Sequence, residues 1–212
     1  MKYDDIIKLF GQIPIVSPNL LTKKGLDDKY IKVQFSRWVN SGKLIRLRRG
    51  FYVLPEKYRK VQLFEPYIAN QLKQPSYLSM EKALEFHGMI MEAVYVNTSI
   101  TTKRPSSYKT AFGEFEYRHV KTDLFFGYLP VTMNKQTAFI ATPEKALLDL
   151  IYLNKIKPNC GYIEELRLQN LDKFSIKKLM EYSLKYKSGN VTKVAKELKD
   201  YILKNKKMRK LR

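Results

Sequence analysis

One cysteine and two histidines in 212 residues leave little for disulfide or zinc chemistry. Cys160 has no second cysteine to pair with, and with His87 and His119 it makes no cluster at zinc-ligand spacing, so neither a disulfide framework nor a metal site is expected. Long apolar runs are missing too: no stretch reaches the roughly 18 residues a membrane span needs. The N-terminal MKYDDIIKLF carries acids where a signal peptide needs an apolar run, so the expected location is a reducing cytoplasm without membrane attachment. No G-x-x-x-x-G-K-[ST], H-E-x-x-H or G-x-S-x-G element occurs, so no catalytic residue and no cofactor are assigned and an enzyme is not the expectation.

Acidic residues are also scarce. Twenty Asp and Glu face forty Lys and Arg, a formal charge of +20. Such an excess creates a positive potential suited to a polyanion, although a lysine-rich composition or a membrane-surface protein would share it. Hydrophobic residues at 44% and aromatics at 13% supply enough apolar surface to offset chain entropy, so a globular chain of one large or two small domains is expected.

Helix signals crowd the N-terminus. Residues 3–10 read as a helix with Asp4 and Asp5 at its positive end, Ile6, Ile7, Leu9 and Phe10 as its buried side, and Gly11 as its stop. A second short helix is expected over 17–24, with Ser17 as N-cap, Pro18 at the first position, Leu20 and Leu21 in the core and Gly25 after it. A third spans about 28–41, between an Asp cap and Gly42. At about 100° per residue, Ile31, Phe35, Trp38 and Val39 form one apolar stripe, which makes Trp38 a core residue. Opposite lie Lys29, Lys32, Val33, Ser36, Arg37 and Asn40, the mixture of cations, hydrogen-bonding groups and small apolar contact that major-groove readout uses. An ordinary solvated helix face has similar composition; position within the module decides between them.

That position comes from KLIRLRRGFYVLP. Residues 43–47 and 51–54 read as two strands joined at Arg48-Arg49-Gly50, with Gly50 free to take the positive φ of a tight hairpin. Three helices followed by a hairpin is the winged-helix order, in which the third helix enters the groove. Lys43, Arg46, Arg48 and Arg49 are expected on the wing, and guanidinium matches phosphate or guanine bidentately. Residues 1–58 are therefore expected to bind DNA.

Beyond the EKYRK connector, helices are expected at 65–73 and 79–88, a small sheet over 93–141 with a turn at Gly113, and a helix from Pro143 to about Leu153 capped by Thr142. Its core face is Ala146, Leu147, Leu150 and Ile151. Helical patterns follow at 161–168, 175–187 and 190–204. The class is thus α+β: an N-terminal winged helix-turn-helix, then a mixed α/β domain over 59–212 that is helical from about 142. The closing KNKKMRKLR suits a solvated tail or a nonspecific DNA tether.

Several segments together resemble a known family. SGKLIRLRRGFYVLP, QPSYLSMEKALEFHGMI, VYVNTSITTKRPSSYKTAFGEFEYRHV, LFFGY and ATPEKALLDLIYL, in this order over about residues 5–155, are similar to the AbiEi-type antitoxins of abortive-infection systems. The resemblance implies a winged-helix domain that binds inverted repeats in double-stranded DNA upstream of its own operon and represses it. It also implies a C-terminal domain needed for antitoxin activity, and a nucleotidyltransferase-like toxin as functional partner in a type IV pair that need not form a stable complex. Inverted repeats imply two copies per operator, as a monomer or weak dimer pairing on DNA.

Two further clusters bear on function. Lys103, Arg104, Tyr108 and Lys109 combine cations and an aromatic as a second phosphate or partner surface, or simply as a polar hairpin connection. Glu114, Glu116 and Arg118 share one strand face with His119 on the other; with Asp123, Glu144 and Asp149 they would serve a metal-dependent nuclease only if folding gathered them. His87 suits capping of a helix C-terminus better than metal binding. Two other functions thus stand beside the repressor: a DNA-targeted nuclease or nucleotide-modifying enzyme, and a protein-binding antitoxin covering an acidic toxin.

Overall fold

Helix α1 (Tyr3–Phe10), α2 (Asn19–Thr22) and α3 (Asp28–Asn40) close around an apolar centre, and a hairpin of β1 (Ile45–Arg48) and β2 (Phe51–Val53) follows. The computed structural model describes residues 2–22, 27–158 and 160–210 and is α+β. Asp27 caps α3, its carboxylate accepting the Tyr30 N–H at 2.7 Å. Ile31, Phe35 and Trp38 are buried against Ile6, Phe10, Val16, Leu21, Leu44 and Leu54. Each such side chain contributes roughly 1.5–3 kcal/mol by leaving water.

Two expected core residues lie outside this centre. Leu9 is 43% exposed and Leu20 39% exposed. Both sit beside a residue that is buried, Phe10 and Leu21, and short helices present only one narrow face inward. Helix α2 starts at Asn19, two residues after Ser17, whose carbonyl accepts the Leu20 N–H; its expected end at Lys24 and stop at Gly25 lie outside the described residues. Gly11 ends α1 in a right-handed conformation, and what requires glycine is space: a Cβ there would meet the Ile7 carbonyl oxygen at 2.8 Å. Gly50 adopts φ +84° at the hairpin tip. Val16 pairs with Tyr52 through two backbone hydrogen bonds, adding a third short strand-like segment to the hairpin.

The remaining chain builds a six-stranded mixed sheet. Its strands are β3 (Tyr77–Leu78), β4 (Val96–Thr101), β5 (Ser106–Thr110), β6 (Gly113–His119), β7 (Tyr128–Met133) and β8 (Gln136–Ala141), in the order β5-β6-β4-β3-β8-β7. The β4–β6 and β3–β8 pairs are parallel and the others antiparallel. Strand β5 stands where a polar connection was expected. Its Ser-Ser-Tyr-Lys-Thr sequence is half-exposed at the sheet edge, so no apolar alternation marks it.

Helices α4 (Glu65–Leu72), α5 (Met80–Phe86), α6 (Pro143–Leu153), α7 (Cys160–Glu165), α8 (Ile176–Lys185) and α9 (Gly189–Lys210) complete the fold. Helix α9 continues past the expected end at 204, while Leu211 and Arg212 lie outside the described residues. Thr142 caps α6 by accepting the Lys145 N–H. This helix is buried well beyond its expected face, with Glu144, Lys145, Leu148 and Asp149 also enclosed. Ile15, Leu47 and Val53 from the N-terminal segment join the large core, so the inner face of the hairpin is packed on the sheet-bearing part of the molecule.

Candidate nucleic-acid interface

The outer face of α3 is built as its periodicity dictates. Lys29, Lys32, Val33, Ser36, Arg37 and Asn40 are all exposed. Lys32 forms an i,i+4 ion pair with Asp28 on the same helix, an exposed contact that steers the ammonium without burying it. Across from this face stands the hairpin, and between them lies a cleft of about 520 Å³. Lys32, Ser36 and Asn40 line it from α3, Arg46 and Arg49 from the hairpin, and Asn19 from the start of α2. Guanidinium, ammonium, hydroxyl and amide groups on separate elements thus face one concavity.

Lys29, Val33 and Arg37 share the α3 surface but are not part of that lining. Lys43 is exposed beyond it, with its ammonium 5.2 Å from the centre of the Tyr3 ring. Tyr3 donates to the Lys43 carbonyl at 2.6 Å, and burial pushes its hydroxyl up to about 12. Asn19 and Tyr52 also line the cleft, beyond the residues expected there. The signal for Asn19 was the position of its helix, directly before α3 in a helix-turn-helix order.

Arg48 parts company with Arg46 and Arg49. A register shift falls between Arg46 and Arg48 in the hairpin, which breaks the two-residue alternation that would have placed both on one face. Arg48 is half-buried, its guanidinium 4.0 Å from the centre of the Phe51 ring and 6.0 Å from that of Tyr108 on β5. Its Nε is buried without a hydrogen-bond partner.

The second cluster divides as well. Lys103 and Arg104 are exposed in the loop between β4 and β5. Tyr108 turns inward, edge-on to Tyr117 at 5.7 Å, whereas Lys109 points the other way and its ammonium lies 3.6 Å from Glu114. The four do not form a single surface.

The carboxylates considered for metal-assisted cleavage are dispersed. Glu144 accepts the Ser175 N–H at 2.7 Å. Asp149 is wholly enclosed and accepts from Lys145 Nζ at 2.5 Å, Tyr186 at 2.7 Å, Ser79 at 2.8 Å and Tyr77 at 3.0 Å. Burial lowers the Lys145 ammonium below its ordinary range, opposed by Asp149, and burial with the Asp149 charge holds Tyr77 and Tyr186 well above theirs. Among the described residues, no three His, Cys, Asp or Glu side chains gather at a spacing that would hold a metal ion. His87 is the C-cap of α5, its backbone N–H donating to the Ala83 carbonyl at 3.1 Å, while its ring turns away from the helix end: Nε2 lies 2.8 Å from the Ala141 carbonyl oxygen and ties α5 to β8.

Residues 4–55, the three helices and hairpin that build the cleft, match the family model described as transcriptional regulator, AbiEi antitoxin. Over these residues the chain is similar to the AbiEi antitoxins. The description of that family names a regulator and antitoxin role. The match covers the segment carrying every residue of the α3 and hairpin clusters, and residues 56–212 lie beyond it. No curated protein matches the chain. Among the described residues, no helix is long and apolar enough to cross a membrane.

Proposed function

We propose that this protein is a sequence-specific DNA-binding autorepressor and the antitoxin of a type IV toxin–antitoxin pair. Residues 1–58 act as a winged helix-turn-helix and residues 59–212 as the antitoxin domain. The observation that carries this reading is the single cleft shared by Lys32, Ser36 and Asn40 of α3 with Arg46 and Arg49 of the hairpin. Helix α3 enters the major groove, where Ser36, Arg37 and Asn40 meet base edges and Val33 offers an apolar contact to a thymine methyl. Arg46, Arg49, Lys29, Lys32 and Lys43 hold phosphates, and the net charge of +20 speeds the encounter.

Two copies occupy an inverted repeat in the promoter of the protein's own operon, meeting on the DNA. The partner gene product is a nucleotidyltransferase-like toxin, neutralised without a stable complex in the cytoplasm. Footprinting of the upstream region tests the repressor half: a protected inverted repeat is expected, and its loss on Arg46→Ala with Arg49→Ala. Uniform protection along the fragment would reject sequence choice. Co-expression with the adjacent gene tests the antitoxin half, with rescue of growth as the expected outcome.

A further inference from the structure

The hairpin of β1 and β2 is held between two supports that take opposite faces of its strands. Tyr52 turns to α3, its ring centre 5.1 Å from that of Phe35. Val53, the next residue, turns with Leu47 into the large core, and Arg48 reaches Tyr108 of β5. Successive strand residues point to opposite sides, so α3 and the edge of the six-stranded sheet flank the hairpin from either side.

Two arginine–aromatic contacts fix the direction in which β5 runs along the hairpin. Near the tip, the Arg48 guanidinium lies 6.0 Å from the centre of the Tyr108 ring. Past the base, Arg59 donates to the Leu54 carbonyl at 3.3 Å, and its guanidinium lies 5.7 Å from the centre of the Phe112 ring. The path from Phe112 back to Tyr108 therefore leads from base to tip, and the chain continues that way into the loop joining β4 to β5. Arg104 stands four residues past Tyr108, up to about 13 Å at roughly 3.3 Å per residue. The loop is thereby brought to the end of the molecule at which Arg49 and Gly50 form the hairpin tip.

Its backbone is pinned at several points. The Lys103 N–H donates to the Thr101 hydroxyl at 3.2 Å, that hydroxyl donates to the Pro75 carbonyl at 2.7 Å, and the Lys103 carbonyl oxygen lies 3.2 Å from His119 Nδ1. Pro105 restricts its own φ. Lys73, just after α4, donates to the Ser106 hydroxyl at 2.9 Å and adds a third cation where β5 begins. The side chains of Lys103 and Arg104, by contrast, are exposed. Among the described residues neither forms an ion pair, and no Asp or Glu occurs over residues 93–113.

Unpaired cations of one sign on a fixed backbone suit a polyanion, because little backbone freedom is lost on contact and a guanidinium matches phosphate bidentately. Resting on the reading of α3 and the hairpin as a duplex-binding unit, we propose that the β4–β5 loop makes a third contact with the same duplex. Lys103 and Arg104 hold phosphates on the flank beyond the hairpin, on the side away from α3. The length of DNA covered is then set by both parts of the molecule, and the added contact carries no sequence preference of its own.

Lys103→Ala with Arg104→Ala alters exposed side chains alone, and thermal melting verifies that the variant is folded. Its affinity for a promoter duplex is expected to fall about tenfold or more, and its dependence on salt to flatten by about 0.9 logarithmic units of slope for each phosphate released. Its footprint is expected to be shorter on one flank, and a duplex trimmed to the segment it still protects binds parent and variant alike. Lys177→Ala with Lys178→Ala removes the same formal charge from exposed positions of α8 and leaves slope and footprint as in the parent. An unaltered slope and footprint for the loop variant, with binding still weakened by Arg46→Ala and Arg49→Ala, overturns this inference and leaves the duplex reading standing. Equal flattening by the α8 variant reduces the effect to net charge and overturns it as well. Absence of duplex binding by the parent chain ends both.

Discussion

The Arg48 guanidinium lies 6.0 Å from the centre of the Tyr108 ring, joining the N-terminal hairpin to the edge strand of the six-stranded sheet. Tyr108 is itself braced edge-on by Tyr117, which donates to the Ala69 carbonyl at 2.5 Å. A chain of contacts thus runs from the hairpin through β5 and β6 to α4. The hairpin that is proposed to hold DNA is therefore positioned by the part of the molecule that lies outside the family match.

Replacing Tyr108 tests that bracing. Tyr108→Ala removes a cation–π contact worth roughly 0.5–2 kcal/mol and is expected to weaken promoter binding severalfold with the fold retained. Tyr108→Phe keeps the ring and leaves affinity unchanged. Parallel affinity and melting measurements check this; equal affinity for the alanine and phenylalanine variants would remove the bracing role.

The two sides of the hairpin should respond differently to alanine. Arg46→Ala and Arg49→Ala are expected to flatten the dependence of duplex affinity on salt, by about 0.9 logarithmic units of slope for each phosphate no longer neutralised. Arg48→Ala is expected to lower the melting temperature and leave the slope near that of the parent. Salt titrations of the three single variants decide it, and a flattened slope for Arg48→Ala would place that guanidinium on phosphate.

The enclosed pair of Lys145 and Asp149 predicts an asymmetry in stability. Asp149→Ala leaves a buried ammonium with the Tyr186 oxygen but no carboxylate, and deprives three hydroxyls of their acceptor, at a cost of about 3–5 kcal/mol. Lys145→Met leaves a carboxylate still held by Ser79, Tyr77 and Tyr186, and is expected to cost less. Urea unfolding of both variants measures the difference, and a larger loss for Lys145→Met would contradict it.

Alkali should unfold the protein through its tyrosines. An unfolded tyrosine loses its proton near 10.0, whereas burial raises Tyr3 and Tyr162 to about 12 and holds Tyr77 and Tyr186 well above their ordinary range. Over that window the unfolded chain binds fewer protons than the folded one, so stability present below about pH 10 is lost as pH rises. Lys145 acts with the opposite sign, because burial lowers it beneath 10.5 and its unfolded form keeps the proton longer. Several tyrosines against one lysine leave a net loss, to be followed by urea midpoints and tyrosinate absorbance across the alkaline range. Constant or rising midpoints above pH 10 would refute it.

The elements legible in the sequence are those with a strong period and a cap. The stripe of Ile31, Phe35 and Trp38, the Asp cap and Gly42 delimit α3, and Thr142-Pro143 opens α6. Strand β5 is hidden because an edge strand with one half-covered face needs no apolar alternation. The bulge separating Arg46 from Arg48 leaves no trace in residue order, so the three arginines look equivalent there. Lys145 and Asp149 have the i,i+4 spacing of an exposed helix pair, and only the helices and sheet around α6 reveal that they are enclosed. A cavity of about 530 Å³ lined by Asn70, Gln71, Lys103, Phe125, Tyr128 and Phe139 is assembled from α4, the loop between β4 and β5, the start of β7 with the segment before it, and β8, a convergence that depends on sheet order.

Sequence-specific duplex binding through the cleft between α3 and the hairpin is measured most directly by competition. The full chain is bound to a labelled duplex from its own promoter at physiological salt and challenged with unlabelled promoter or with a scrambled duplex of equal length. The scrambled duplex is expected to compete at least about 10³-fold more weakly, the lower end of specificity ratios for such proteins. Equal competition by the two duplexes would contradict it.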